Sequence, residues 1–417
     1  MSDARVIFAA RRPPWPLDNG ARIRAFRLCE ALSRRFDVTL VTFGDGPAYD
    51  TTRASRADLE AALGVPVELV PYGRRPPGGA RRNVLRRASD TFGHYATPTL
   101  RAALRRLVAE HPGALLHLDD PGVALAALGL PAAVSVAATH NVEHRIMRDI
   151  ARRMPAAHRP FMELEWRKIA AEERRVWRAA DLCLAVSEID AETMRATGAE
   201  RVEVCPNGSD PHDPLPPRPL RPGEPLRLVF VAALRFWPYA YALAWFIREA
   251  LPAVRAAAGP VTIDVVGEHD EDVLHADGVT YHGRVPDVEP FYDGAHALAL
   301  PVFEGSGTRL KVVEAAQYGR PIVSTALGVQ GLLDRPGEQY LRAETAADFA
   351  AALAELRADL EAGGAATAAR CEAARAATGR LVWPRIGAEL AELYDSCLTF
   401  RSEARRRMPI EGLDERH

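Results

Sequence analysis

Gly305-Ser306-Gly307-Thr308-Arg309-Leu310-Lys311-Val312-Val313-Glu314-Ala315-Ala316 follows an apolar run, Ala295 to Val302, that reads as a strand. The glycines open a segment with helical spacing. Strand, glycine turn and helix in this order make the repeating unit of a parallel α/β sheet. The start of such a helix carries free N–H groups and partial positive charge, which suits a phosphate. Arg309 and Lys311 add charge there. Glu314, three residues after Lys311, lies on a neighbouring helix face. Lys311 is one of only two lysines, the other being Lys168. A lysine kept beside glycines in an arginine-biased chain points to an anion. The plainer reading is a glycine-capped turn with a surface Lys–Glu pair. The spacing is not a dinucleotide fingerprint, because Leu310 stands where the third glycine belongs, and it is not a Walker loop.

The same alternation extends in both directions. Strands are expected at Arg5 to Ala10, Val38 to Phe43, Val67 to Pro71, Ala114 to Leu118, Val134 to Thr139, Leu182 to Val186 and Val202 to Cys205, with helical patterns between them. Asn207 to Pro225 is crowded with proline and has no apolar periodicity, which is linker composition. A second block follows, with strands at Leu228 to Ala232, Val261 to Val266, Val279 to His282, Ala297 to Leu300 and Pro321 to Thr325. This pattern predicts an α/β protein of two doubly wound, Rossmann-like parallel-sheet domains facing across a cleft. The expected divisions are a first domain over 1–207, a linker over 208–225, a second domain over 226–383, a terminal helix over 384–400 and a charged tail over 401–417. In such sheets ligands sit beyond the carboxyl ends of strands. The Gly305 turn and the Pro13 to Gly20 loop both lie at such ends.

Composition narrows the function class. At 417 residues the chain is too long for one ordinary core. A formal net charge of −2 gives no general reason to bind nucleic acid. Five scattered cysteines without a CxxC indicate neither a disulfide framework nor a zinc site. No run approaches the length of a membrane span, so a cytoplasmic protein is expected.

The motifs together resemble the family 4 glycosyltransferases, retaining enzymes of the GT-B fold. Gly305 to Ala316, then Gly319-Arg320-Pro321-Ile322-Val323-Ser324-Thr325, then Gly328 to Gly331, resemble the family's donor-site signature. Pro14 to Arg24, with Asn19-Gly20, is similar to its N-terminal glycine loop. His140-Asn141-Val142-Glu143 is similar to its histidine loop. Ser187 and Pro206-Asn207-Gly208 resemble the stretch closing its first domain. Gly283 to Tyr292 resembles its "G-x-V-x-D…Y" segment.

The resemblance implies transfer of a sugar from a nucleotide-diphosphate sugar to an acceptor, which could be a saccharide, a lipid-linked molecule or a small molecule. It implies no cofactor and no metal. The pyrophosphate would lie on the helix starting near Thr308, with Gly305, Ser306, Gly307, Thr308 and Leu310 lining the donor. Arg309 and Lys311 would stabilise the charge that grows as the glycosidic bond breaks. Glu314 would hold ribose hydroxyls. His140 would contact the sugar or the acceptor, Gly20 would admit the donor, and the Arg284-Val285 backbone would face the base. The terminal helix would pack back on the first domain.

The chain departs from the family pattern, which also has an arginine near Ala233 that this chain lacks, with Arg235 and Arg309 as candidate substitutes. Ser306 stands at the first glutamate of the E-x7-E pair, with Glu304 out of register. Ala232 replaces a glycine and Tyr239 an asparagine in the strand-loop after Leu228. These departures motivate a rival reading as a catalytically inert nucleotide-sugar-binding protein. Another enzyme of the same fold, such as a sugar-nucleotide epimerase, is the second rival.

Other features have plainer accounts. Asp270-Glu271-Asp272 fits a metal-binding D-x-D, but a hydrophilic loop produces such triplets. Asp119-Asp120 precedes Pro121-Gly122 and reads as a turn or helix cap. Glu143 reads as a cap or an ion-pair partner. Trp245 and Phe246 read as core, while Trp237 and Tyr239, placed on a loop, could line a cleft. Arg74 to Arg106 holds nine arginines and one acid, Asp90. It reads as a solvated face, or as a contact with a polyanionic acceptor or with anionic lipid at the inner face of the membrane.

Overall fold

The computed structural model describes residues 4–17, 19–44, 54–72, 87–270, 273–304 and 309–407. The chain divides into two compact units, residues 1–206 with 384–417, and residues 207–383. Each is an α/β layer structure built on its own sheet.

In the first unit seven strands form one parallel sheet. They are β1 (Arg5–Ala10), β2 (Asp37–Phe43), β3 (Val67–Val70), β4 (Leu115–Leu118), β5 (Val134–Ala138), β6 (Leu182–Ala185) and β7 (Val202–Val204), in the order β3-β2-β1-β4-β5-β6-β7. The central strand β1 pairs with β2 on one side and β4 on the other. Val6, Ile7, Phe8 and Ala9 are fully buried. A parallel strand covered on both faces reads as a continuous apolar run, which is why Arg5 to Ala10 was legible. The order reverses between β1 and β4, so the loops after these strands diverge and leave a crevice.

The second unit repeats the scheme with β8 (Leu226–Val231), β9 (Val261–Val266), β10 (Val279–Gly283), β11 (Ala297–Leu300), β12 (Ile322–Ser324) and β13 (Leu341–Arg342), in the order β10-β9-β8-β11-β12-β13. Here the reversal falls between β8 and β11. Phe246, Phe349 and Trp245 pack edge to face on this core, with Phe246 and Phe349 centroids 5.4 Å apart. The two parallel-sheet α/β domains expected from the alternation are therefore present.

The proline-rich stretch belongs with the second unit. His212 stacks on Tyr318 at 4.1 Å, the Leu215 N–H donates to the Tyr318 carbonyl at 3.1 Å, and the buried Arg320 donates to the Pro216 carbonyl at 2.9 Å. Proline removes donors but keeps carbonyls, so such a segment can be pinned by side chains rather than by a ladder. The Ala-rich end of the second unit forms two helices, Ala346–Glu361 and Ala365–Thr378. Gly363 and Gly364, both at positive φ, make the break.

The terminal helix Trp383–Arg407 falls in the first unit from Pro384 onward. Its Gly387 lies against Ala31 so closely that an added Cβ would come within 2.2 Å of the Ala31 Cβ. The long helix Arg159–Ala179 buries Glu165, Glu172 and Glu173. These carboxylates cap other elements: Glu165 accepts from the Asp90 N–H at 2.6 Å, and Glu172 from the Ser89 N–H at 3.0 Å. Their negative charge faces helix starts, where it is stabilised. Among the described residues no helix is long and apolar enough to cross a membrane.

Candidate active site

In the second unit the helix Leu310–Gln317 opens just beyond the carboxyl end of β11, beside the reversal in strand order. Arg309 is its N-cap and makes no side-chain capping bond. Gly305, Ser306, Gly307 and Thr308 lie outside the described residues. The end of β11 is held by β12. The Ser324 hydroxyl donates to the Leu300 carbonyl at 2.8 Å, and Thr325 Oγ1 bonds the Val302 carbonyl. The end of β12 thus fixes the end of β11.

Three side chains gather at this helix start. The Lys311 ammonium lies 5.2 Å from the centre of the Tyr239 ring, a cation–π distance. Arg309 is 5 % exposed. Burial pulls its guanidinium pKa down, and the neighbouring Tyr239 opposes this. Tyr239 belongs to the first turn of the helix Trp237–Trp245, not to a loop. Pro238 at the helix start accounts for this, since its fixed φ suits the first turn. One turn further along the helix Leu310–Gln317, Glu314 accepts a hydrogen bond from the buried Tyr292 hydroxyl at 3.3 Å. Leu310 is half-buried beside Arg309.

The base-side residues have different surroundings. Arg284, exposed, donates to Glu268 at 2.9 Å, and Arg235 reaches the same carboxylate at 3.0 Å. Val285 packs partly against the second unit's core. Arg235 also pairs with Asp270 at 3.0 Å, so the first residue of the D-x-D triplet is an ion-pair partner, and Glu271 and Asp272 lie outside the described residues. Gly267 sits in this cluster at φ 135°, and a Cβ there would come within 2.1 Å of the Ala232 carbonyl oxygen. The loops after β8 and β9 can meet only because that residue has no side chain.

The first unit holds the second group. Gly20 is exposed at the first position of the helix Gly20–Ser33, and Asn19 caps that helix by accepting from the Arg22 N–H. Arg24, buried in the same helix, donates to the carbonyls of Cys205 and Pro206 at 2.8 and 2.9 Å. His140 follows β5 and is bonded through Nε2 to Asp119 Oδ2 at 3.1 Å. Asp120 is the helix cap, accepting from the Gly122 N–H and pairing with Arg11 at 3.0 Å. The cap reading of the Asp-Asp pair holds for Asp120 and misses Asp119. The missed signal is position: Asp119 is the first residue after a fully buried strand at the sheet's switch point.

His144 is structural. Its Nδ1 meets Glu173 Oε2 at 2.5 Å, and Glu173 also takes the Glu143 N–H at 2.8 Å. Burial pushes the Glu173 carboxyl up, with His144 opposing. Within the arginine run, residues 73–86 lie outside the described residues. Arg101 donates to the Ala126 and Leu128 carbonyls, and Arg106 pairs with Glu110 and Glu68.

Two family models match the chain. One, described as Glycosyltransferase Family 4, covers residues 18–213, and the other, Glycosyl transferases group 1, covers residues 225–359. No curated protein matches the chain in sequence. Among solved structures it is similar to a sucrose-phosphate synthase from Thermosynechococcus elongatus, at 16 % identity and TM-score 0.67 over 95 % of this chain and 100 % of that one. Anabaena HepE in complex with UDP-glucose is similar at 16 % identity and TM-score 0.63, over 94 % and 99 % of the two chains. A glycosyltransferase from Rickettsia africae is similar at 10 % identity and TM-score 0.63, over 95 % and 99 %.

Proposed function

This chain is a family 4-type glycosyltransferase of the GT-B fold, and from that premise we propose that it moves a sugar from a nucleoside diphosphate sugar to an acceptor hydroxyl, with retention at the anomeric carbon and without a metal ion. One observation carries the reading. A helix opens beside the switch point of the second sheet with Arg309 and Lys311 in its first turn and Tyr239 against the lysine.

That arrangement suits a diphosphate leaving group. As the bond from the anomeric carbon to the β-phosphate oxygen breaks, its electron pair passes to the phosphate. Fixed cations and N–H groups aimed at this growing charge lower the barrier, commonly the largest catalytic term. Protein cations take the place a metal would fill. Glu314, held by Tyr292, accepts ribose hydroxyls, and Arg284-Val285 lies toward the base. His140 meets hydroxyls of the sugar or acceptor. The acceptor oxygen bonds the anomeric carbon and passes its proton to the departing phosphate oxygen. The complex of Anabaena HepE with UDP-glucose supports a uridine donor as the first to try. The reading places the enzyme in the cytoplasm. Any contact with an anionic membrane face rests on arginines of the run other than Arg101 and Arg106, which are engaged.

The test is slow hydrolysis of UDP-glucose, with water as acceptor. Expected are free UDP and glucose, released first as the anomer of the donor, undiminished by EDTA and strongly reduced in Lys311→Ala. The opposite anomer overturns retention, and loss with EDTA overturns metal independence. Binding without turnover of this or other sugar nucleotides, acceptors included, favours an inert binding protein.

A further inference from the structure

Asp119 is 3 % exposed, at the end of β4. Its N–H donates to the Ala9 carbonyl of β1 at 2.9 Å. Its Oδ2 takes the His140 bond, and its Oδ1 faces Nε2 of the fully buried His117 at 3.6 Å. That gap is just beyond a hydrogen bond, and neither atom has another hydrogen-bond partner among the described residues. His117 is itself fixed. Its ring stacks on Phe8 at 4.1 Å, and its Nδ1 bonds the buried Tyr394 hydroxyl of the terminal helix.

A carboxylate in such a place is costly. Removing a charge from water costs several kcal/mol unless partners restore it. Here burial pushes the Asp119 carboxyl up, and its interactions with His140 and His117 more than reverse this. Burial also keeps His117 neutral, against the pull of Asp119. A carboxylate only accepts, so the tautomer of His117 that suits Asp119 carries its proton on Nε2 and accepts from the Tyr394 hydroxyl at Nδ1. The Ala9 contact is made by the backbone N–H and needs no carboxylate. The charge therefore serves its partner.

A carboxylate only accepts hydrogen bonds, so His140 must carry its proton on Nε2. The nitrogen left for a substrate is Nδ1, on a ring that retains 14 % of its side-chain surface. We propose that Asp119, buttressed by His117 and Tyr394, is a positioning residue that locks His140 with Nδ1 free to accept from a hydroxyl of the sugar or acceptor. Its catalytic consequence rests on the donor reading above. The same geometry places the second oxygen of Asp119 under control of the terminal helix, through Tyr394.

The experiment is ¹⁵N–¹H correlation of the histidine ring nitrogens in the full chain, with the His140 signals assigned by their loss in His140→Gln. The wild type is expected to show the Nε2–H tautomer. Asp119→Ala should convert it to a tautomer mixture and lower kcat for UDP-glucose hydrolysis roughly tenfold or more, with the donor KM held within about twofold. Asp119→Asn keeps the shape and still offers an accepting oxygen, so it should fall between the two and serves if the alanine variant does not fold. An unchanged tautomer in a folded Asp119 variant overturns the proposal. So does an unchanged kcat in a variant whose tautomer has shifted while His140→Gln is impaired. The ring readout needs no donor. A wild type that leaves UDP-glucose intact with His140 locked counts against the donor reading and not against the Asp119–His140 coupling.

Discussion

Lys311 and Tyr239 hold each other: the ammonium stands 5.2 Å from the ring centre, although the two residues come from different helices. The contact fixes the chain's distinctive lysine at the head of the helix Leu310–Gln317. A cation–π contact of this kind is worth about 0.5–1 kcal/mol near a surface. Tyr239→Phe keeps the ring face and should leave the donor KM within about twofold of wild type. Tyr239→Ala should raise it about two- to fivefold, the equivalent of that energy. Steady-state kinetics with UDP-glucose distinguishes them, and equal effects of the two variants would show that the hydroxyl, not the ring, matters.

Arg309 and Lys311 should not behave alike. Lys311 is half-buried and Arg309 almost fully buried. Lys311→Ala should reduce kcat about a hundredfold, by analogy with loss of one charge-stabilising donor, and leave the melting temperature near wild type. Arg309→Ala should lose activity and stability together, because it removes packing as well as charge. Paired activity and thermal-melt measurements read both effects.

Tyr292 and Glu314 couple the core to the proposed ribose contact. The ring stacks on Tyr318 at 4.8 Å, and its hydroxyl supports the carboxylate. Tyr292→Phe should destabilise the second unit by about 1 kcal/mol and raise the donor KM modestly. Glu314→Gln should weaken UDP binding by about tenfold or more, since a charged acceptor loses its charge. Chemical denaturation and UDP titration separate the two.

Acid should loosen the second unit through His296. This residue is buried, and its Nδ1 accepts the Arg227 N–H at 2.9 Å. Burial first, then the Arg218 charge, lowers its pKa from 6.5 to about 4. Between those values the unfolded chain binds a proton that the folded one refuses. Stability from this group is therefore complete above pH 6.5 and is lost as the pH falls toward 4. His296→Asn keeps an acceptor without the titration. Its melting temperature should vary less than that of the wild type across this window.

Much of this was legible in the residues. Buried parallel strands such as Val6 to Ala9 announce themselves as unbroken apolar runs. The apolar run before Gly305 likewise announced the buried strand Ala297–Leu300. What stayed hidden depends on contacts distant in sequence. Nothing near Asp119 names His140 as its partner, or Tyr394, far along the chain, as the support of His117. The glutamates Glu165, Glu172 and Glu173 look like a solvated helix face until the helix starts they cap are seen. Tyr239 read as a loop residue because the aromatic run around it lacks a polar cap, yet Pro238 sets the first helical turn. The prolines of 207–225 suggest a tether because they have no periodicity, and the carbonyls that pin them have none to show.

The central claim is that the start of the helix Leu310–Gln317 binds a nucleoside diphosphate through Lys311. Calorimetric titration of UDP into the wild-type chain and Lys311→Ala tests it most directly, with ADP and GDP as comparisons. The account predicts saturable, one-to-one binding of at least one diphosphate by the wild type, weakened tenfold or more by the substitution, an effect of roughly 1.4 kcal/mol. Equal affinities in the two proteins, or no binding of any of the three by the wild type, would contradict it.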